Sequence, residues 1–225
     1  MEFELLGWPD ADPTLRLDYR AFSYAGKFAT SGTGVAVLRE DRPDAVAPGW
    51  EPDPSQPDPA PRPDADGDTA TLADDVVAAV AFNRDRTDPS TLWIRYVSVH
   101  TARRGEGLGP RLVADLVRCV RDRESTDGGT GDGRTDTIDR IRIGVNNPFA
   151  YEALYKVGFA FTGRETGVAE LVLERPIDAP ADRDRETYRA GLDVYRDRDR
   201  GEPEASFLDE RVDGEGPPPL VEGAF

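Results

Sequence analysis

The chain has 225 residues, long enough to bury a real core as one domain with extensions. Asp and Glu number 44 against 28 Lys and Arg, a formal charge of -16, and no basic patch stands out, which argues against a nucleic-acid backbone as partner. With 32% charged residues there is no apolar run long enough to cross a membrane, one cysteine gives no disulfide framework or cysteine zinc site, and one histidine leaves little for metal binding.

Met1–Pro9 carries acids and no basic segment, so no secretory signal is expected and a cytoplasmic setting is. Phe3–Leu6 reads as a short strand and Leu15–Phe28 as a poorly patterned helix. Val35–Leu38 is another strand. Residues 41–74 hold eight prolines among many aspartates and read as a disordered acidic insertion. Val76–Phe82 is almost continuously apolar, as in a buried strand. Leu92–His100, rich in β-branched and aromatic residues, is a further strand.

Pro110–Arg123 carries Leu112, Val113, Leu116, Val117, Cys119 and Val120 at helical spacing, with Pro110 suited to a first turn. Cys119 lies on that stripe and reads as core. Residues 125–137 form a second acidic, glycine-rich insertion. Then follow a strand (Ile141–Val145), a helix (Phe149–Val157) and two strands (Phe159–Thr162 and Glu170–Glu174). Past Arg175 the pattern decays to one helix, Glu186–Asp197, with Tyr188, Leu192 and Tyr195 on one face, and a loose end from Gly214. That apolar face also makes a homodimer an expectation. The order implies a mixed α/β or α+β sheet with helices on its faces.

Charge of one sign combined with arginine at all basic positions but Lys27 and Lys156 is the composition of a protein adapted to molar salt, so a halophilic source is expected. An acidic surface for cationic substrates is the sharper alternative. At molar salt the Debye length is only about 3 Å, so long-range steering would be weak.

The stretch that carries chemistry runs from Val97 to Gly109 (VSVHTARRGEGLG), from a strand through glycines into an amphipathic helix. Glycines let a backbone approach an anion, free N–H groups at a helix start attract it, and an arginine can grip a phosphate with two hydrogen bonds. A nucleotide P-loop requires Gly-Lys-Ser/Thr, and Gly109 is followed by Pro110 and Arg111. A dinucleotide fingerprint starting at Gly105 and Gly107 requires a glycine where Pro110 stands. A purely structural glycine turn also fits.

Arg104, Gly107 and Gly109 stand as Arg-x-x-Gly-x-Gly. Downstream, the strand Ile141–Val145 leads into Asn146, Asn147, a helix, and Leu154-Tyr155-Lys156-Val157-Gly158-Phe159. These two motifs in this order resemble the GNAT N-acetyltransferase superfamily over roughly residues 75–175. The resemblance implies an acyl-CoA N-acyltransferase fold: a mostly antiparallel central sheet with a splayed strand pair, flanked by helices. It implies a domain over 1–175 with a C-terminal extension over 176–225.

The implied activity is direct transfer of an acetyl group from acetyl-CoA, as cosubstrate and without a metal, to an amine on a small molecule, peptide or protein. The backbone N–H groups of Arg104, Gly105, Glu106, Gly107, Leu108 and Gly109 would hold the pyrophosphate, with the Arg104 guanidinium assisting. Val97 and Val99 would bond the pantetheine and acetyl carbonyl through their backbones. Asn147, or Asn146, would contact the pantetheine arm, and Tyr155 would be the general acid for the departing thiolate.

Other readings of these residues stand beside the resemblance. Tyr155 also fits as a packing residue, and Asn146 and Asn147 as helix caps. His100 is more readily structural than a base, and Arg95 fits either side. Tyr24–Phe28 falls where relatives in the superfamily place substrate elements. The strand before the turn offers Arg95, Tyr96 and Ser98 but no carboxylate, so the base is unassigned. A non-catalytic acyl-CoA-binding or regulatory module is the alternative function.

Overall fold

A computed structural model describes residues 1–61, 71–127, 137–199, 201–211 and 216–221. The fold is mixed α/β, with a mostly antiparallel sheet of seven strands and flanking helices. The backbone divides into two compact units, Met1–Asn83 with Ile94–Leu112, and Arg84–Trp93 with Val113–Phe225.

In the first unit the strand order is β1 (Glu2–Gly7), β2 (Gly34–Arg39), β3 (Val76–Arg84, through Asn83) and β4 (Thr91–Val99, from Ile94). β1 and β2 pair antiparallel with Phe3 opposite Leu38, and β2 and β3 with Val37 opposite Ala79. Val76–Phe82 is buried on both faces, which is why it shows no polar alternation.

The helix expected over Leu15–Phe28 does not form. Asp18 takes its place as a turn centre: its carboxylate accepts the Arg20 N–H at 2.9 Å and its carbonyl the Phe22 N–H at 2.9 Å. A short polar side chain that bonds its own following backbone competes with helix formation. Only a 3-10 segment, Ala25–Ala29, follows. The segment still fills the core, through Leu15, Leu17, Ala21, Phe22 and Phe28 against Val35, Val37 and Val76.

Of the expected insertion over 41–74, residues 62–70 lie outside the described residues. Residues 41–61 are tied down where disorder is the sequence expectation. The Tyr19 hydroxyl donates to the Pro57 carbonyl, Arg20 pairs with Asp58 at 2.7 Å, and Arg16 donates to the Ala60 carbonyl at 2.9 Å. Trp50 sets its ring 4.7 Å from that of His100. Prolines lower the freedom of the unfolded chain, so a few such bonds suffice to fix the segment.

In the second unit the strand order is β5 (Arg140–Val145), β7 (Leu171–Pro176), β6 (Ala160–Glu165). Leu173 of β7 stands opposite Ile143 on one side and Phe161 on the other, both pairings antiparallel. β5 alternates cleanly, with Ile141, Ile143 and Val145 buried. Helix α1 (Leu108–Asp127) runs past the expected Arg123 and absorbs Ser125–Asp127 of the second insertion; residues 128–136 lie outside the described residues. Cys119 is only half-buried, at the edge of the α1 stripe, and burial pushes its thiol pKa up.

Helix α2 (Pro148–Tyr155) is followed, after β7, by α3 (Arg185–Arg196) and by α4 (Glu202–Asp209), which the sequence pattern did not reveal. The tail is part of the second unit. Tyr188, Leu192 and Tyr195 of α3 are buried, and the Tyr195 hydroxyl donates to the Val145 carbonyl at 2.9 Å. These three side chains of the α3 face are thus covered within the chain. Of the end expected to be loose, 216–221 are described, and the Val221 N–H donates to the Lys156 carbonyl at 2.9 Å; 212–215 and 222–225 lie outside the described residues.

Candidate active site

In the first unit β4 ends at Val99, the His100 N–H still bonds the Val77 carbonyl of β3 at 2.9 Å, and there the chain turns. The His100 Nδ1 accepts the Ala102 N–H at 3.2 Å, capping a 3-10 turn over Thr101–Arg103. Its ring is held edge-on by Phe22 and Trp50. Burial, with Arg103 nearby, pushes the imidazole pKa down, so it is a neutral acceptor and a poor candidate for binding charge. Its part is to aim the turn.

The turn itself is built from backbone that only glycine adopts easily. Gly105 has φ +87 and Gly107 φ +77, and a Cβ on either would meet nothing within 4 Å. Conformation therefore demands the glycines, and the space beside them is open. Helix α1 starts at Leu108, with the Arg111 N–H bonded to the Gly107 carbonyl at 3.1 Å. The N–H groups of Leu108 and Gly109 consequently have no partner inside the helix, and Pro110 contributes none. Gly109 differs from the other two. Its φ is ordinary and its Cβ would touch only Val99 at 3.7 Å, so bare backbone rather than backbone conformation is what a glycine supplies there.

The two adjacent arginines divide their work. Arg103 is anchored, donating to the Val46 carbonyl at 2.9 Å, to Glu40 at 3.3 Å and to Glu106 at 2.7 Å. Arg104 is held by a single exposed hydroxyl, Ser23 Oγ at 2.8 Å. A guanidinium held so lightly is available to an anion, and Ser23 is a neighbour that motif reading missed. Val97 and Val99 are half-buried on β4, and between them Ser98 is 3% exposed with its Oγ unbonded.

In the second unit Asn147 is the N-cap of α2, its Oδ1 accepting the Ala150 N–H at 2.8 Å, while its Nδ2 donates to Asn146 at 3.2 Å. The capping alternative accounts for the Oδ1 of this side chain. Tyr155, the last residue of α2, has no exposed surface. Its hydroxyl accepts the Phe161 N–H at 2.9 Å and shares a bond with the Tyr151 hydroxyl at 3.2 Å. Tyr151 also lies 3.1 Å from the Tyr188 carbonyl, which can only accept. When Tyr151 donates there, Tyr155 must donate to Tyr151, and its proton is held inside the fold. Burial raises the Tyr155 pKa, which makes it a weaker acid toward a thiolate. The α3 tyrosines that close over it were not foreseeable from the motif.

Among the described residues no group of His, Cys, Asp and Glu is arranged to hold a metal ion, and no helix is long and apolar enough to cross a membrane.

No family model matches the chain, and no curated protein matches it. Similar solved structures include a nourseothricin acetyltransferase, 15% identical, covering 78% of this chain and 98% of that one with a TM-score of 0.43. Another is a ribosomal-protein-alanine N-acetyltransferase from Brucella melitensis, 14% identical, covering 64% and 69% with a TM-score of 0.40. A third is an N-acetyltransferase from Staphylococcus aureus, 14% identical, covering 64% and 68% with a TM-score of 0.39.

Proposed function

We propose that the protein is a GNAT-type N-acetyltransferase that moves an acetyl group from acetyl-CoA to an amine. The observation that carries the reading is the turn from Arg104 to Gly109: two glycines at positive φ, open space beside them, a helix start whose first N–H groups have no partner inside the helix, and a lightly held arginine. Such a turn fits a pyrophosphate by geometry and by charge. The chemistry needs no nucleophilic side chain. The amine nitrogen bonds to the acetyl carbon, the C–S bond breaks, the thiolate takes a proton, and the amine loses one. A backbone donor of β4, at Val97 or Val99, serves the polarised carbonyl. Contact with the pantetheine arm for Asn147 and return of the proton to sulfur for Tyr155 are the roles that the resemblance implies. The acceptor is an amine on a small molecule, peptide or protein, and the reading carries a cytoplasmic site of action with it.

A second reading has its own observation. Tyr155 is fully enclosed with its hydroxyl bonded in the fold, and β4 carries no carboxylate to serve as base. Both features favour a binding module that keeps the cradle without turnover.

Calorimetry of acetyl-CoA against wild type and Gly107→Glu in molar KCl tests the coenzyme assignment. Binding by wild type, abolished by the substitution, supports it; a folded wild type that does not bind overturns it. Thiol release with a panel of amines then separates enzyme from module.

A further inference from the structure

One aromatic pair of the first unit lies outside the machinery described above. Tyr24 and Tyr96 place their rings 5.5 Å apart at 39°. Tyr24 is 53% exposed and sits at φ +60, a left-handed conformation that bulky residues rarely adopt. A large ring left half exposed on strained backbone gains the fold less than a buried one would, and strain of this kind gathers at binding sites. Tyr96 is partly buried and packed against the core of the unit. It is also one residue, about 3.3 Å of strand rise, from Val97.

One ring of the pair already has a cation beside it. Lys27 places its Nζ 5.9 Å from the centroid of the Tyr96 ring, with the Lys27 N–H bonded to the Tyr24 carbonyl at 2.8 Å. Lys27 is one of two lysines in the chain and is exposed. In a sequence with 44 carboxylates, none of those among the described residues pairs with it. Its ammonium rests on a ring instead, near the outer limit of about 6 Å for such contacts, where it is easily displaced.

We propose that the Tyr24–Tyr96 pair is the platform on which the acceptor docks as an alkylammonium ion, with Lys27 as the resident stand-in that the acceptor displaces. The proposal rests on the acetyl-transfer reading for its role and on the ring geometry for its ligand. It makes the acceptor a primary organic cation, read by the ring faces rather than by a carboxylate.

The test is calorimetric titration with n-butylammonium chloride at fixed ionic strength, without coenzyme, beside 1-pentanol as the uncharged analogue. Lys27→Met removes the resident charge and keeps the stem, and the affinity for butylammonium should rise about fivefold, the worth of one exposed cation–π contact. Adding Tyr24→Gly, which relieves the positive φ and so does not threaten the fold, should remove that gain; Tyr96→Phe, which keeps the ring face, should retain it. Affinity unchanged by Lys27→Met, gain surviving Tyr24→Gly, or pentanol binding as tightly would each overturn the proposal. Acetyl-CoA binding measured in parallel keeps the two readings apart: loss of coenzyme binding speaks against acetyl transfer, and loss of the butylammonium gain against the platform.

Discussion

The Tyr155 hydroxyl and the Phe161 N–H are bonded at 2.9 Å inside a cluster that also holds Tyr151 and Tyr188. Tyr155→Phe leaves that N–H buried without a partner, and the expected loss of stability is about 1–3 kcal/mol by urea unfolding. If the hydroxyl also serves the thiolate, thiol release falls about a hundredfold or more with coenzyme affinity kept. A destabilised variant with unchanged turnover per folded molecule would reduce Tyr155 to a structural residue.

The glycines of the turn should separate by mechanism. Gly107→Ala places a Cβ at φ +77 and should cost about 1–2 kcal/mol, with weaker acetyl-CoA binding. Gly109→Ala meets only Val99 at 3.7 Å and should leave stability within about 0.5 kcal/mol. Its effect belongs to coenzyme affinity alone. Thermal melts with and without acetyl-CoA distinguish the two; equal stability losses would contradict the backbone account.

His100 makes stability depend on pH. Burial, and Arg103 beside it, lower its pKa in the folded state, with Asp18 opposing and Arg104 assisting. Below the ordinary histidine range the unfolded chain therefore binds more protons than the folded one, and stability falls as pH falls through about 6.5. Urea midpoints from pH 8 to 5.5 should drop for wild type and stay flatter for His100→Gln. Parallel curves would mean that His100 does not titrate differently on folding.

Gly191 of α3 is where the tail meets α2. A Cβ there would stand 2.1 Å from the Tyr151 hydroxyl oxygen and 2.4 Å from its Cζ. Gly191→Ala should push Tyr151 aside and cost about 1–3 kcal/mol, seen as faster proteolysis within α3. Undiminished protection would show that the ring has room to shift.

Ser98 presents the opposite case. Its Oγ is buried without a bond, so Ser98→Ala removes an unsatisfied group and should be neutral or stabilising by about 1 kcal/mol. A clear loss in the melting temperature would reveal a partner for the hydroxyl.

Legibility in the sequence followed the range of the forces involved. The strands of the sheet were readable because their apolar patterns are local: Val76–Phe82 has no polar interruption and β5 alternates strictly. The turn was readable because positive φ calls for glycine, at Gly105 and Gly107. What stayed hidden depends on partners distant in sequence. Trp50 finds His100 fifty residues away, so a proline-rich stretch with the composition of disorder is anchored. Asp18 overrides a weak helical pattern with two local bonds. The enclosure of Tyr155 by α3 follows from packing between separate elements, which no motif records.

The Trp50–His100 contact also makes the turn optically visible. An indole 4.7 Å from an imidazole loses emission when that imidazole gains a proton, and His100 is the only histidine in the chain. With Trp8 and Trp93 replaced by phenylalanine, and with excitation to the red of tyrosine absorption, the remaining emission would come from Trp50 alone, a built-in lamp on the residue that caps the turn. Its brightness would follow the protonation of His100, and a shift on adding coenzyme would register movement at the turn without a label or an enzymatic assay.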